Sequence, residues 1–193
     1  MVQLPISYVI LNKVIPKSIP MNLSINATTE KSNVFSQIAS ELSSLGLNIV
    51  KQDQTRPWGG FFVLDESQAQ AFATLYFPQL EMSDIQITNK LSPKILVVAP
   101  HKRLSWQYHF RRAEIWKVIA GTTVGVKISD NDEQSDDVKV LESGSFIQMN
   151  TGERHRLIGL EGWGIVAEIW QHTDPENPSN EDDIVRLQDD FGR

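Results

Sequence analysis

The chain has 193 residues, enough for one domain or a domain with an appendage, and its 40% hydrophobic and 22% charged residues are ordinary for a soluble globular protein. No run approaches the ~18 apolar residues of a membrane helix, which argues against an integral membrane protein. Cysteine is absent, so disulfides, thiolate metal sites and a cysteine nucleophile are excluded, and a reducing, cytoplasmic compartment fits. The net charge of −6 argues against a nucleic-acid surface.

Residues 1–30 are punctuated by proline, serine and threonine. The apolar stretch Tyr8-Val9-Ile10-Leu11 is too short and too poorly flanked by basic residues for a secretory signal, so this part reads as a tail, with Met21 as an alternative start. From Ser32, the expected cap, Val34, Ile38, Leu42 and Leu45 recur at helical spacing until Gly46, which predicts a helix over 33–45. A turn at Arg56-Pro57-Trp58-Gly59-Gly60 and a short apolar run, Phe61 to Leu64, come next. Asp65 and Gln68 then form a capping-box pair ahead of Ala69, Phe72, Ala73 and Tyr76, and Pro78 closes a second helix. Residues 31–90 are therefore expected to form a helical α/β extension that packs on the C-terminal half of the chain.

From residue 94 the pattern changes. Lys94–Ala99, Ile115–Ile119, Thr122–Ile128, Ser145–Met149 and Gly164–Trp170 are short β-branched or aromatic runs separated by Gly, Pro, Asn and Asp clusters. That spacing predicts a mainly β sandwich or barrel over 91–193, with the acidic stretch 130–137 as a hairpin loop. Charge is uneven here. Residues 94–117 carry six basic side chains against the single acid Glu114, a focusing that suits a small anion, although a basic solvated face would look the same.

Four side chains in this region can bind a metal. Gln107 and His109 stand two apart in a strand-like context and project from one face, Glu114 leads the next run, and His155 arrives after Gly152. Two imidazoles, one carboxylate and one amide oxygen suit one divalent ion of the zinc type, with room for water or substrate. Singly, each is more often a hydrogen-bonded structural residue.

The spacing resembles a family. Gln107-x-His109-x4-Glu114-x6-Gly121 is similar to the first cupin motif with Gln for its first His, and Gly144-x5-Asn150-x-Gly152-x2-His155 resembles the second, with Asn150 for Pro. Cupins are jelly-roll barrels that hold a metal inside. The blocks Arg56-Pro57-Trp58-Gly59, Leu104-Ser105-x-Gln107-x-His109-x2-Arg112-Ala113-Glu114-x-Trp116, Gly121-Thr122, Gly152-x2-His155-Arg156-Leu157 and Glu181-Asp182-Asp183-Ile184-Val185-Arg186, with Asp189 and Gly192-Arg193, are together similar to the C-terminal, isomerase domain of bacterial type II mannose-6-phosphate isomerases. The expected fold is thus a cupin double-stranded β-helix with an N-terminal α/β extension.

The resemblance implies a metal-dependent isomerase interconverting mannose 6-phosphate and fructose 6-phosphate through an enediol, with the ion, most simply Zn2+, held by Gln107, His109, Glu114 and His155. It also makes a homodimer through an edge strand an expectation. Glu168 shares a strand face with Val166 and Trp170 and is the first candidate for the base; orienting a metal-bound His is its alternative role. Arg186 would stabilise the enediolate, or else bridge to Asp182 or Asp183. Arg112 would anchor the phosphate, with Lys94 assisting from the preceding strand as part of the catalytic set. By alternation Arg112 shares the face of Glu114 only if the turn closes before it. Ser105 and Trp58 would line the mouth, while Trp106, Trp116, Trp163 and Trp170 read as packing.

The chain departs from the family at His101, where Gly is usual, at Phe110-Arg111, and at Ile115, where His is usual. The Gly-rich nucleotide loop of the guanylyltransferase domain that commonly precedes this domain is missing, so nucleotide transfer is not expected. A cupin acting on another sugar phosphate, and a non-catalytic carbohydrate-binding cupin, remain open.

Overall fold

The computed structural model describes residues 21–120 and 122–192. The Tyr8–Leu11 stretch, Gly121 of the first motif and Arg193 lie outside the described residues.

Residues 21–30, expected as the end of a tail, are docked. Met21 is buried in the core, Asn22 N donates to Glu41 Oε1 at 3.2 Å, and Ser24 N donates to Gln37 Oε1 at 2.8 Å. Helix α1 spans Lys31–Ser44 and buries Val34, Phe35, Ile38 and Leu42. Ser32 does not cap it. Glu30 holds the cap position without a side-chain bond, and Ser32 lies one residue inside the helix. The helix does end as expected, at Gly46 (φ +73°), where Leu47 N donates back to Leu42 O at 2.9 Å.

Strands β1 (Ile49–Asp53) and β2 (Gly59–Leu64) form an antiparallel hairpin. Gly59 is required there: at φ +139° its missing Cβ would fall 1.9 Å from the carbonyl oxygen of Val97 on the next strand. Asp65 accepts from Ser67 N at 3.0 Å and opens a short 3-10 turn that leads into α2 (Ala69–Tyr76) and α3 (Met82–Ile85). Gln68 does not close the expected capping box. Its amide instead donates to Gly46 O and accepts from Asn48 N, both at 2.7 Å, tying α2 to the end of α1.

Nine strands come after the helices: β3 (Lys94–Val98), β4 (Trp106–His109), β5 (Arg112–Val118), β6 (Thr123–Ser129), β7 (Lys139–Glu142), β8 (Phe146–Met149), β9 (Arg154–Gly159), β10 (Gly164–His172) and β11 (Ile184–Gln188). Together with β1 and β2 they build the expected jelly-roll barrel from two antiparallel sheets, ordered β1-β2-β3-β10-β5-β8 and β11-β4-β9-β6-β7. The helical region and the barrel share the first sheet, because β2 pairs with β3 along its length, from Gly59 opposite Val98 to Val63 opposite Lys94.

The middle of that sheet is buried on both faces, so β3, β5 and β10 contain no exposed residue. On its outer face Ile95, Val97, Ile115, Ile165, Ala167 and Ile169 pack against the helices. On its inner face Leu96, Val98, Trp116, Val118 and Val166 meet Val124, Val126 and Leu157 of the opposite sheet. The inner residues nearest the other end of these strands are polar, and they make the site. No helix among the described residues is long and apolar enough to cross a membrane.

Candidate metal centre and active site

The site begins at the turn between β4 and β5. This turn closes at Phe110-Arg111, so β5 starts at Arg112, which then shares the inward face with Glu114 and Trp116. The C-terminal segment pins the turn. The buried Asp183 carboxylate accepts from Phe110 N at 3.1 Å, Arg111 N at 3.0 Å and Ser179 Oγ at 2.7 Å. His109 ends β4, His155 lies on β9 of the same sheet, and Glu114 faces both from the other sheet.

Hydrogen bonds fix the histidine tautomers. Nδ1 of His109 faces the carbonyl oxygen of Asp183 at 3.2 Å, and Nδ1 of His155 faces that of Glu153 at 2.9 Å. A carbonyl can only accept, so each Nδ1 carries the proton, and in the neutral imidazole Nε2 then presents a lone pair. Those lone pairs point at the Glu114 carboxylate: Nε2 of His109 lies 3.0 Å from Oε1 and Nε2 of His155 lies 3.3 Å from Oε2. Burial pushes His109 down, which keeps its imidazole neutral. Burial alone would raise Glu114, but the Arg112 guanidinium beside it holds the carboxyl well below its usual range.

Acceptors therefore face acceptors. Oε2 of Glu114 and Nε2 of His155 are both buried without a hydrogen-bond partner among the described residues. Their need is for a cation. The ligand atoms of His109, Glu114 and His155 lie within 4.8 Å of one another, and all three side chains are buried, so the triad could hold a metal ion. Gln107 pairs with His155 across β4 and β9, and its Oε1 accepts from Ser105 Oγ at 2.6 Å.

Beside the triad lies a cavity, half open to solvent, whose walls include Trp58, Lys94, Ser105, Gln107, Arg112, Glu114, Glu168 and Arg186. Every candidate from the sequence except the two histidines thus borders one space. Glu168 faces it from β10, between Lys94 on β3 and Trp116 on β5. Trp116 Nε1 donates to Glu168 Oε1 at 2.9 Å. Burial, with a contribution from the Glu114 charge, lifts the Glu168 carboxyl to about 7, against the opposing pull of Lys94, Arg112 and the Trp116 bond.

The cations are held differently from one another. Lys94 Nζ bonds Glu181 Oε1 at 2.7 Å and sits 3.4 Å from the centre of the Trp170 ring. Arg112, 1% exposed, also lies over that ring at 3.5 Å. Arg186 is on the exposed edge strand β11, opposite Gln107. Sequence reasoning missed Glu181 as a wall of the cavity and Asp183 as its brace, although both fall in the acidic block it singled out. It also read Trp116 and Trp170 as packing alone. Their signal was position, since Trp116 shares the face of Glu114 and Trp170 that of Glu168.

The sequence profile of the family described as mannose-6-phosphate isomerase C-terminal matches residues 64–189, well over half of the chain. The chain belongs to that family. Among curated relatives of this mannose-6-phosphate isomerase C-terminal domain, a mannose-1-phosphate guanylyltransferase of Salmonella montevideo is 31% identical over 119 residues, 62% of this chain and 23% of the relative. The xanthan biosynthesis protein XanB of Xanthomonas campestris pv. campestris (strain B100) is 28% identical over 127 residues, 66% of this chain and 25% of the relative. The chain spans about a quarter of the length of the relatives it matches. Among solved structures, oxalate decarboxylase from Bacillus subtilis aligns with a TM-score of 0.49 at 13% identity, covering 71% of this chain and 30% of that one. Vicilin from tomato gives 0.46 at 15% identity, covering 70% and 35%.

Proposed function

We propose that this chain is a metal-dependent aldose–ketose isomerase acting on mannose 6-phosphate and fructose 6-phosphate. What carries the reading is Glu168, a buried carboxyl at about 7 on the wall of a cavity also lined by Lys94, Arg112, Arg186 and, of the triad, Glu114. Isomerisation moves a proton between two adjacent carbons, one of them bearing the carbonyl. The group that does so must be basic enough to take the proton and acidic enough to return it, and a value near 7 meets both demands.

His109, Glu114 and His155, with Gln107 completing the set, would hold the divalent ion, most simply Zn2+. When bound, the ion supplies Lewis acidity to the substrate oxygens. The remaining work falls to side chains. Glu168 Oε2 is the oxygen free of the Trp116 bond and would take the proton from the sugar carbon and return it to its neighbour. Arg186 at the rim and Lys94 on the wall would offset the negative charge that develops on the enediolate. Arg112 would grip the phosphate, for which a guanidinium is the fitting partner. Trp58 and Ser105 would shape the mouth. Membership of the family and the mannose 1-phosphate chemistry in the names of its relatives support the choice of sugar.

The test is a coupled assay of fructose 6-phosphate conversion on chelator-treated and Zn2+-restored protein. Turnover that appears only after metal is restored is the expected result. Absence of turnover on any hexose phosphate, with one metal bound per chain, would overturn the isomerase reading and leave a carbohydrate-binding cupin.

A further inference from the structure

Arg112 touches the same atoms that the triad offers to a metal. Its Nε donates to Glu114 Oε1 at 2.8 Å, and its Nη2 lies 3.2 Å from Nε2 of His109. Because His109 Nδ1 carries the proton, Nε2 is an acceptor with one lone pair, and Nη2 is the donor that uses it. A divalent ion needs that lone pair and draws on Glu114 Oε1 as well. Guanidinium and metal therefore compete, outright for the imidazole and by charge for the carboxylate.

The rest of Arg112 is held elsewhere. Nη1 donates to Ser179 Oγ at 2.8 Å and to Asn180 O at 3.0 Å, and the guanidinium plane lies over the Trp170 ring. These contacts do not involve the triad, so they persist when its ligand atoms are taken by an ion. Arg112 then stays on the cavity wall with Nη2, and to a lesser degree Nε, released from its acceptor. Arg112 borders a space also lined by Lys94, Arg186, Glu114, Glu168 and Glu181; with Lys94 paired to Glu181 and a divalent ion on Glu114, the charge left there is positive and suits an anion.

We propose that Arg112 couples metal loading to anion binding: the ion displaces the guanidinium edge from His109 and Glu114, and the freed edge becomes the anion site. This rests on the reading of the triad as a metal site and deepens the role given to Arg112 as a phosphate anchor. It makes binding ordered, metal before phosphate. By thermodynamic reciprocity, a phosphate on Arg112 must tighten metal binding by the same factor that metal tightens phosphate.

The experiment measures Co2+ binding by calorimetry and by its visible absorption, with and without inorganic phosphate, and phosphate binding with and without Co2+. In the unaltered chain the two factors should agree and lie at about tenfold or more, within the ordinary range of coupling between sites. In Arg112→Met, Co2+ without phosphate should bind as tightly as before or more tightly, because a competitor is gone, and phosphate should no longer alter it. Arg112→Lys, which keeps the charge but not the fork, should retain only a fraction of the coupling. Equal phosphate affinity with and without Co2+ in the unaltered chain would overturn the proposal, and this arm needs no variant to fold. So would a coupling factor that survives in Arg112→Met, which would mean that phosphate binds the ion itself, or Co2+ binding that weakens in that variant. None of these readings uses turnover, so the coupling and the isomerase activity can fail separately.

Discussion

Oε2 of Glu114, on the first sheet, lies 3.3 Å from Nε2 of His155 on the second, and both atoms are buried without a hydrogen-bond partner among the described residues. Two acceptors so placed repel one another and have given up water. Each unsatisfied group costs about 1–3 kcal/mol, which a cation between them would recover. Zn2+ should therefore raise the thermal midpoint of the chelator-treated chain. The stabilisation expected at one hundred times the dissociation constant is about 2.7 kcal/mol. Scanning calorimetry with and without Zn2+ checks this, and Glu114→Gln, which removes the charge, should lose the shift. An unaltered midpoint in the parent chain would mean that the triad is not a metal site.

The Glu168 carboxyl yields opposite expectations for activity and stability. As the base it must be ionised, so turnover of the metal-loaded chain should rise with pH as Glu168 ionises, at or below about 7 because an ion on Glu114 offsets the charge that helps raise it, and Glu168→Gln should lower kcat by roughly 10²–10⁴. For stability, a carboxyl at about 7 in the folded chain and near its ordinary 4.5 when unfolded binds its proton more tightly in the folded state. Its contribution favours folding fully below about pH 4.5 and is lost as pH rises to about 7. Above that range the penalty approaches a bound of about 3 kcal/mol. Glu168→Gln can still accept from Trp116 but carries no charge. Its stability relative to the parent should therefore grow between pH 4.5 and 7, as read from urea midpoints across that range. A variant that is less stable at every pH and fully active would sink both arguments.

The barrel was legible where both faces of a strand are buried. β3, β5 and β10 each hold a short apolar or β-branched run, because the helices cover one face and the opposite sheet the other. β7, β9 and β11 were not set out as strands. β7 and β11 are half-exposed, and β9 carries Arg154, His155 and Arg156 within a six-residue strand. Register, not hydrophobicity, makes these strands. The candidate triad could be reached through motif spacing similar to that of the cupins, since strand parity alone placed only Gln107 and His109 on one face. The bonds that brace it could not, since Asp183 lies 73 residues from Phe110 in sequence and nothing local marks the pairing.

His101 occupies a left-handed backbone position, φ +57°, in the loop after β3, where the family usually has glycine. A side chain there costs about 1–2 kcal/mol, and glycine returns some of this through its greater freedom when unfolded. The His101 ring is exposed, with only a 3.8 Å contact to the equally exposed Glu161 to lose. His101→Gly should stabilise the chain by up to about 1 kcal/mol without altering metal affinity. A lower thermal midpoint would show that the ring contributes more than its contacts suggest.

Asp183 is the residue through which the C-terminal segment supports the site. Its carboxylate takes three donors, Phe110 N, Arg111 N and Ser179 Oγ, while its own carbonyl faces His109 Nδ1. The first two set the turn that carries His109 and Arg112, and Ser179 in turn holds Arg112. Asp183→Ala leaves these donors without an acceptor in a buried region, and the expected loss is about 2–4 kcal/mol. Because the turn positions a ligand, metal affinity should fall as well, by about 10–100-fold, as is usual when a partner of a ligating histidine is disturbed. The neighbouring Asp182 is exposed and its side chain makes none of these bonds, so Asp182→Ala should change stability by no more than about 0.5 kcal/mol. Urea unfolding and Co2+ titration of the two variants separate the outcomes. If Asp183→Ala loses stability but binds Co2+ as tightly as the parent, the segment braces the fold alone and the turn holds His109 in place without it.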